Sequence, residues 1–351
     1  MANSNNIHLS AGDRISLLGN LSTLLTSGIP ILDAVASMAE DSKGNLKKIL
    51  EELMEDLKQG KNISTSFATF PQSFDRITVN LIKAAEEAGT LDETLRDLRD
   101  YTQKEIEFTD KIKFALIYPV IILILFVAVM LVILIVVIPK IAQVFSRLKV
   151  TLPLPTRVLI FMSNTLLQNT AWVVGGIIVA TLALIIIFKK NRQLIFGVVF
   201  TLPIISSLVR DIDFARFSRS LYLLLRSGVP ITSALELASQ VVIRRQTTLL
   251  FAHAKDMVLA GKRFSEGIRQ AKGVVPNTMI KLIEAGEKSG TLEKSMADVA
   301  SYLDYQVSNR LKALTAVIEP VMLILVGLSV GGMMLAIIAP IYGLIGQVSN
   351  R

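Results

Sequence analysis

Side chains that could catalyse a reaction are few in this 351-residue chain, and none forms a familiar catalytic pattern. The two histidines, His8 and His253, are far apart, and neither has metal-ligand spacing around it. The segments Gly60-Lys61-Asn62 and Gly261-Lys262-Arg263 lack the hydroxyl residue and the upstream glycine of a P-loop. The absence of cysteine excludes disulfides and thiolate metal sites. The sequence therefore predicts no enzyme, no cofactor and no metal site.

Two carboxylates at equivalent positions could act either in binding or in structure. Glu86 and Glu287 each lie three residues before a glycine that is followed by threonine and leucine. One hypothesis makes them docking or stabilising groups for a partner. The other makes them solvated side chains or capping groups at a helix corner. The residue types alone leave both hypotheses open.

The two carboxylates belong to a duplication that covers most of the chain. Similar segments recur at an offset of 200 or 201 residues: 24–31 with 224–231, 89–91 with 290–292, Pro119 with Pro320, and Pro139 with Pro340. Each copy consists of a polar segment followed by an apolar one. Self-similarity at a fixed spacing indicates a repeated structural unit.

Three long apolar runs predict membrane-spanning helices. The chain is 52% hydrophobic, and residues 114–138, 171–188 and 320–346 hold no charged side chain. About 20 apolar residues suffice to cross a hydrocarbon core of roughly 30 Å. A fourth run at 194–209 is shorter and contains Pro203, so we interpret it as a continuation or interfacial segment.

These runs divide the chain into an all-α membrane protein with two homologous cytoplasmic domains. We expect a flexible N-terminus (1–9), domain one (10–113), span one (114–138), an outside loop (139–170), span two (171–188), domain two (189–313), span three (314–346) and an outside tail (347–351). No signal peptide opens the chain, which favours a cytoplasmic N-terminus. Span two brings the chain back across the bilayer, so both repeats keep one orientation.

The charge distribution agrees with this topology. Ten Lys or Arg residues lie in the flanks predicted inside and five in those predicted outside. The weak point is the loop 139–170, which holds four cations and no acid. The net charge of +8 does not indicate nucleic-acid binding, because basic stripes with interleaved aromatic residues are missing.

Each polar domain is predicted to be an antiparallel bundle of about six helices. Apolar residues recur at helical spacing, and glycines separate the helical segments. The corners are assigned to Gly28, Pro30, Gly89, Gly228, Pro230 and Gly290. After Gly89, the segment Thr90-Leu91-Asp92-Glu93 is typical of a capping box, and Thr291 and Leu292 repeat its start.

Two polar surfaces are candidates for partner binding. Glu51, Glu52, Glu55 and Asp56 form an acidic helix face, which is either a patch for a basic partner or a solvated face with ion pairs. Domain two has Arg244 and Arg245 in its corresponding region. The two domains are therefore predicted to bind different surfaces, or each other.

Span three contains the strongest candidates for functional or packing residues within the membrane. Glu319 lies beside Pro320 where the span begins, and it is either functional or an interfacial carboxylate that reaches water. Gly327 and Gly331 form a small-residue face that permits close contact between helices. Pro340 ends the apolar stretch, as Pro139 does in the first repeat.

Taken together, these residues resemble the type II secretion system protein F family. The matching motifs are Ala215-Arg216-Phe217, the corner from Leu224 to Pro230, Gly286-Glu287-Lys288-Ser289-Gly290-Thr291-Leu292, Ile318-Glu319-Pro320 and Pro340-Ile341-Tyr342. The first repeat departs from the pattern at Ala85, Ala88 and Tyr118. The resemblance covers residues 10–346. Many members begin with an additional segment that is absent here, and the short form is similar to those of type IVb-like pilus systems.

The resemblance implies a non-enzymatic platform protein in the bacterial inner membrane, with its C-terminus in the periplasm. It implies contact with a cytoplasmic hexameric assembly ATPase, with pilin or pseudopilin subunits and with other inner-membrane assembly proteins. The glycine face of span three favours a homo-oligomer. Alternatives are a passive membrane scaffold or a small transporter, although the spans contain almost no polar path. A membrane enzyme would need convergent acid–base or metal groups.

Overall fold

The computed structural model of the protein is helical. It describes residues 7–147, 154–168, 203–271 and 273–349, and in these ranges the chain forms helices, turns and bends with no β-strand. The all-α prediction is therefore confirmed for this part of the chain. Span two, predicted at 171–188, and the apolar residues 194–202 lie outside the described residues.

The helices of the two repeats follow the same order. The first repeat contains α1 (Ala11–Thr26), α2 (Ile31–Asp41), α3 (Gly44–Lys58), α4 (Ile63–Ala68), α5 (Arg76–Ala88) and α6 (Leu91–Val132). A π-helix (Ile133–Val137), α7 (Ile138–Arg147) and α8 (Leu154–Gln168) come next. The second repeat contains α9 (Pro203–Arg226), α10 (Ile231–Ser239), α11 (Arg245–Leu259), α12 (Phe264–Arg269), α13 (Asn277–Ser289) and α14 (Leu292–Ser349).

The first corner of each repeat is formed as the sequence predicts. Gly28 and Gly228 have positive φ angles of 82° and 76°, which glycine adopts without steric cost. The amide after Gly28 donates back to the carbonyl of Leu24 at 3.1 Å, closing the end of α1. Pro30 and Pro230 lie at the N-cap positions of the next helices, one residue before the first turn.

The capping box predicted at Thr90 is wrong in one respect. Gly89 ends α5 in the left-handed conformation, and the amide of Thr90 donates to the carbonyl of Ala85 at 3.0 Å. That bond belongs to the C-terminal cap of α5, so the amide is already satisfied. The carboxylate of Glu93 instead lies 3.9 Å from the guanidinium of Arg96.

The equivalent corner of the second repeat requires glycine at a buried position. A Cβ placed on Gly286 would lie 2.3 Å from the Oγ of Ser295 and 3.1 Å from the Cα of Leu292. Helices α13 and α14 therefore approach each other closely here. The first repeat carries Ala85 at the matching position, and Ala85 is buried.

We expect Gly286→Ala to destabilise the protein by about 1–3 kcal/mol, because the added methyl group overpacks this contact. Thermal unfolding of the detergent-solubilised chain, followed by circular dichroism, measures the loss. The matched control is Ala85→Gly, which creates no clash and should cost about 1 kcal/mol or less. Equal losses in the two variants would contradict the argument from close approach.

Aromatic stacking fills the core of each repeat. In the first, Phe67 and Phe74 stack with ring centroids 4.1 Å apart. In the second, Phe217 and Phe251 stack at 3.4 Å, and Phe264 lies 6.1 Å from Phe217. The short helices α4 and α12 thus each contribute one aromatic anchor to the interior, Phe67 and Phe264, both buried.

The polar helices of both repeats form one compact unit, comprising residues 7–111 and 207–309 of the described chain. The remaining described residues, 112–147, 154–168, 203–206 and 310–349, belong to a second unit. The sequence predicted two homologous bundles that bind different surfaces or each other, and the structure places the polar helices of both in one unit. The assignment of the two units to sides of a membrane stays a prediction.

Two helical stretches of the described chain are long and apolar enough to cross a membrane: Leu91–Ser146 and Leu292–Leu335. The first contains all of predicted span one, and the second contains residues 314–335 of predicted span three. Large apolar side chains along both are exposed, for example Phe114, Ile124, Leu323 and Leu328. Exposure of this kind is typical of helices that face lipid rather than a protein core.

Candidate coupling site between the two repeats

Two helices of the polar unit meet along faces of opposite charge. Asp97 and Glu105 lie on one face of α6, and Arg219 and Arg226 lie on the facing side of α9. Arg226 pairs with Asp97 at 3.0 Å, and Arg219 pairs with Glu105 at 2.5 Å. The two helices therefore run antiparallel and join the first repeat to the second.

Arg219 is the centre of this contact. Its side chain is only 6% exposed, and its second nitrogen, Nη2, donates to both carboxylate oxygens of Asp304 at 2.7 and 2.8 Å. The guanidinium also lies over the ring of Phe108, 4.9 Å from the centroid. Glu105 and Phe108 come from α6 and Asp304 comes from α14, so one buried cation connects three helices.

Two further contacts extend the network. Arg216 belongs to one of the family motifs in the sequence. Its Nε lies 2.8 Å from the carboxylate of Glu105, and its Nη2 donates to the hydroxyl of Thr109 at 3.3 Å. The hydroxyl groups of Tyr101 and Ser220 are 3.0 Å apart. We call the set Asp97, Tyr101, Glu105, Arg216, Arg219, Ser220, Arg226 and Asp304 the coupling network.

Burial sets the protonation behaviour of this network. Loss of hydration raises the pKa of Asp97 above its ordinary value, and the positive charge of Arg226 opposes that rise. Burial also raises the pKa of the Tyr101 phenol well above its usual range. Tyr101 therefore stays neutral at physiological pH and acts as a hydrogen-bonding group.

A cavity of about 360 Å³ lies beside the network within the polar unit. Its walls include Tyr101, Lys104, Arg219, Tyr222 and Asp304, which come from both repeats. Cations and carboxylates are mixed along the walls, so the cavity has no single charge preference.

Glu86 and Glu287 are capping side chains. Glu86 accepts hydrogen bonds from the amide of Ile63 at 2.5 Å and from the amide and hydroxyl of Ser64 at 3.2 and 2.5 Å. Glu287 accepts from the amides of Phe264 and Ser265 at 2.6 and 3.2 Å. Each carboxylate thus closes the N-terminus of a short helix, α4 or α12, from a neighbouring helix.

The predicted acidic face is smaller in the structure than in the sequence. Asp56 is buried and bonds to Lys61 at 2.6 Å and to Ser66 at 2.7 Å, and the bond to Lys61 lowers its pKa. Glu51 and Glu55 remain exposed, and Glu52 is half-buried. The surface open to a partner therefore consists of these three glutamates.

The basic pair of the second repeat lies at the start of α11. The buried carboxylate of Asp213 accepts from the amides of Ile243 and Arg244 at 2.8 and 2.9 Å. Burial raises the pKa of Asp213 above its ordinary value. The backbone of Arg244 is thus used in capping, whereas the side chain of Arg245 is exposed.

The candidates predicted in span three lie apart from the coupling network in sequence and belong to the second unit. Glu319 and Pro320 are exposed within α14. A Cβ built on Gly327 or Gly331 would meet no atom within 4 Å, so this face of the helix is open. Pro340 also lies in α14.

Sequence reasoning missed Arg219, Glu105 and Asp304. A signal was present, because Arg216, Arg219 and Arg226 share one helix face, as Asp97 and Glu105 do on α6. Opposite charges on two helical faces are recognisable only once the helices are known to pack together. Glu105 and Arg219 are 114 residues apart, beyond the reach of any local pattern.

Within the described ranges no group of three or more histidine, aspartate or glutamate side chains is arranged to hold a metal ion. The coupling network contains paired and hydrogen-bonded charges, with no nucleophile placed next to a base. Its chemistry is that of a structural contact.

Comparison with known proteins gives a consistent result for both repeats. The family model described as Type II secretion system (T2SS), protein F matches residues 17–139 and again residues 217–340. The two matches correspond to the duplication read from the sequence.

Individual relatives cover almost the whole chain. A type II secretion system protein F of Pseudomonas aeruginosa is 32% identical over 96% of this chain and 84% of its own length. A type IV pilus assembly protein PilC of Thermus thermophilus is 30% identical over 94% of this chain and 82% of its own length. The PilC protein of Myxococcus xanthus is 27% identical over 93% of this chain and 79% of its own length.

Proposed function

Because the chain belongs to the type II secretion system protein F family, we propose that it couples a cytoplasmic hexameric assembly ATPase to the polymerisation of pilin or pseudopilin subunits. It does so as a non-enzymatic platform protein of the bacterial inner membrane. The relatives include both secretion and pilus-assembly proteins. The proposal therefore covers a secretion machine and a pilus, type IVb-like or other.

The observation that carries the proposal is the coupling network. Arg219 is buried between Glu105 of the first repeat and Asp304 of the second. Movement of one repeat therefore reaches the other through charged contacts that resist separation. A platform that passes motor movements to membrane helices needs such a connection, since α6 and α14 each continue from the polar unit into an apolar stretch.

The proposed topology places the polar unit in the cytoplasm. It comprises two six-helix bundles, three transmembrane helices, a cytoplasmic N-terminus and a periplasmic C-terminus. Helix α3 carries the surface we propose for a basic patch of the motor, formed by the exposed Glu51 and Glu55 and the half-buried Glu52. Charge complementarity would favour encounter there more than tight binding.

A passive scaffold and a small transporter are the competing functions. A scaffold would bind its neighbours without changing the activity of a motor. A transporter would require polar groups near the middle of its spans. Large apolar side chains line the exposed faces of both described spans, which favours the platform over the transporter.

The test measures ATP hydrolysis by the assembly ATPase of the same organism, with the full chain reconstituted in liposomes. We expect hydrolysis to rise in the presence of the chain. The rise should be lost when Glu51, Glu52 and Glu55 are all replaced by lysine. Replacing Lys47, Lys48 and Lys58 of the same helix by glutamate is the matched control and should retain the effect. An unchanged rate with the wild-type chain would support the passive scaffold.

Membrane topology can be measured independently with reporter fusions after Asp41, Thr156, Met257 and Arg351. The proposal expects cytoplasmic, outside, cytoplasmic and outside positions, in that order. Opposite sides for Asp41 and Met257 would place the repeats in different compartments, so they could not share one motor.

A further inference from the structure

Helix α8 has its polar and apolar sides reversed relative to a helix in water. The side that is buried within its own unit carries hydroxyl residues, Thr156 at 3% exposure and Ser163 at 0%. The outward side carries large apolar residues: Leu154 is 75% exposed, Val158 55% and Phe161 71%. These three recur at intervals of four and three residues, so they form one stripe.

The buried side of α8 is attached to the π-helix that follows α6. Ser163 donates through its Oγ to the carbonyl of Leu134 at 2.6 Å. A π-helix shifts the backbone hydrogen-bond pattern, and a nearby hydroxyl can satisfy a carbonyl there. Helix α8 is therefore fixed beside the apolar end of span one, with its stripe directed away from that contact.

The outward side of α8 also has a polar edge. Arg157, Asn164 and Gln168 recur at intervals of seven and four residues, so they lie together along one border of the apolar stripe.

We propose that α8 lies in the membrane interface, with Leu154, Val158 and Phe161 among the lipid acyl chains and Arg157 at the phosphates of anionic headgroups. A helix with an apolar stripe beside a cationic, polar edge is typical of interfacial binding. The occupant of the stripe is lipid rather than protein because residues 139–170 hold four cations and no acid, which matches an anionic lipid surface.

This inference refines the outside loop predicted at 139–170, because it places α8 at the membrane surface. It also removes the weak point of the charge distribution, since cations bound to headgroups need not oppose the positive-inside preference. The inference rests on the proposed function in one respect, namely that span one is inserted in the bilayer.

The chain contains no cysteine, so single cysteines can be introduced without background. We would label Val158→Cys, Phe161→Cys and Asn164→Cys with an environment-sensitive fluorophore, in the full chain in phosphatidylcholine–phosphatidylglycerol vesicles. Ile124→Cys, on the exposed side of α6, reports insertion of span one. Quenching by spin-labelled acyl chains reports lipid, and quenching by iodide reports water.

We expect labels at 158 and 161 to be quenched from the acyl chains at a depth of about 5–10 Å, and the label at 164 to be quenched mainly by iodide. If 158 and 161 respond to iodide as 164 does, the stripe is in water and the inference is wrong. Shielding of both labels from lipid and iodide alike would mean a protein partner and would also overturn it. A label at 124 that responds to iodide would overturn this inference and the proposed membrane insertion together.

The role of Arg157 is tested separately by Arg157→Glu combined with the label at 161. In vesicles with phosphatidylglycerol we expect this variant to move the label towards water. In vesicles of phosphatidylcholine alone the shift should be smaller. An equal shift in both lipids would contradict binding to anionic headgroups while leaving the placement of the stripe in the bilayer intact.

Discussion

Replacing Arg219 with alanine should lower the free energy of unfolding of the polar unit by about 3–5 kcal/mol. The side chain is 6% exposed, and its removal leaves Glu105 and Asp304 without the cation that separates them. Two carboxylates that lose a shared cation repel each other. Glu105 still pairs with Arg216 in this variant, so Asp304 should be the carboxylate that is destabilised most.

The measurement is thermal and chemical unfolding of the full chain in detergent, followed by circular dichroism. Arg96→Ala on the facing helix, α6, is the matched control, because Arg96 is half exposed and lies 3.9 Å from Glu93. Exposed pairs of that kind contribute about 0–1 kcal/mol. Equal losses for Arg219→Ala and Arg96→Ala would show that the coupling network does not hold the repeats together.

Conservative variants separate charge from geometry at this site. Arg219→Lys keeps the charge but loses the guanidinium fork, in which Nη1 donates to Glu105 while Nη2 donates to Asp304. Its stability should therefore lie between those of the wild type and the alanine variant. Combining Arg219→Met with Glu105→Gln and Asp304→Asn removes the repelling charges. That combination should recover much of the lost stability, as replacement of whole buried ion clusters often does.

The same variants connect stability to the proposed function. If the network transmits movement between the repeats, Arg219→Lys should reduce the stimulation of the assembly ATPase at temperatures where the protein is still folded. The triple variant should be stable yet poorly stimulating, because it joins the repeats without the ionic contacts of Arg219. Full stimulation by the triple variant would assign the network to folding alone.

Features that depend on neighbouring residues could be predicted from the sequence. The corners at Gly28 and Gly89 were predicted because a glycine that follows a helical apolar pattern takes the left-handed conformation at low cost. The family was recognised for the same reason, since its motifs are the corners themselves.

Features that depend on packing could not be predicted in the same way. The amide of Thr90 was assigned to the helix it precedes, whereas it closes the helix behind it. Asp56 was counted as an exposed acid, but the turn at Gly60 brings Lys61 back onto it. The coupling network required knowing that α9 packs against α6, which no local pattern contains.

Replacing Glu86 with alanine should have the second largest effect, a loss of about 2–4 kcal/mol. Helix α4 has only six residues, and its N-cap, Asn62, makes no side-chain hydrogen bond to it. Glu86 therefore accepts hydrogen bonds from the first amides of α4. It does so from α5, which begins 13 residues after the start of α4. Without it, two amides and the Ser64 hydroxyl lose an ionised partner at a helix N-terminus, where negative charge is favoured.

The second repeat provides an internal comparison for this prediction. Glu287 accepts the two equivalent hydrogen bonds from backbone amides. Ser265 donates to it through its amide and not through its hydroxyl, unlike Ser64 in the first repeat. Glu287→Ala should therefore destabilise the protein somewhat less than Glu86→Ala does. Glutamine at position 86 retains one acceptor oxygen and should give an intermediate loss. The control is Glu55→Ala on the exposed face of α3, expected to change stability by less than about 0.5 kcal/mol.

The outcome also decides between the two hypotheses that the sequence left open for these glutamates. A docking carboxylate would reduce binding of the ATPase when replaced, with unfolding unchanged. A capping carboxylate would destabilise the fold, and Glu86→Gln would bind the motor normally wherever it is folded. The hydrogen bonds to α4 and α12 favour capping, since a carboxylate that accepts two amides in this geometry has little capacity left for a partner.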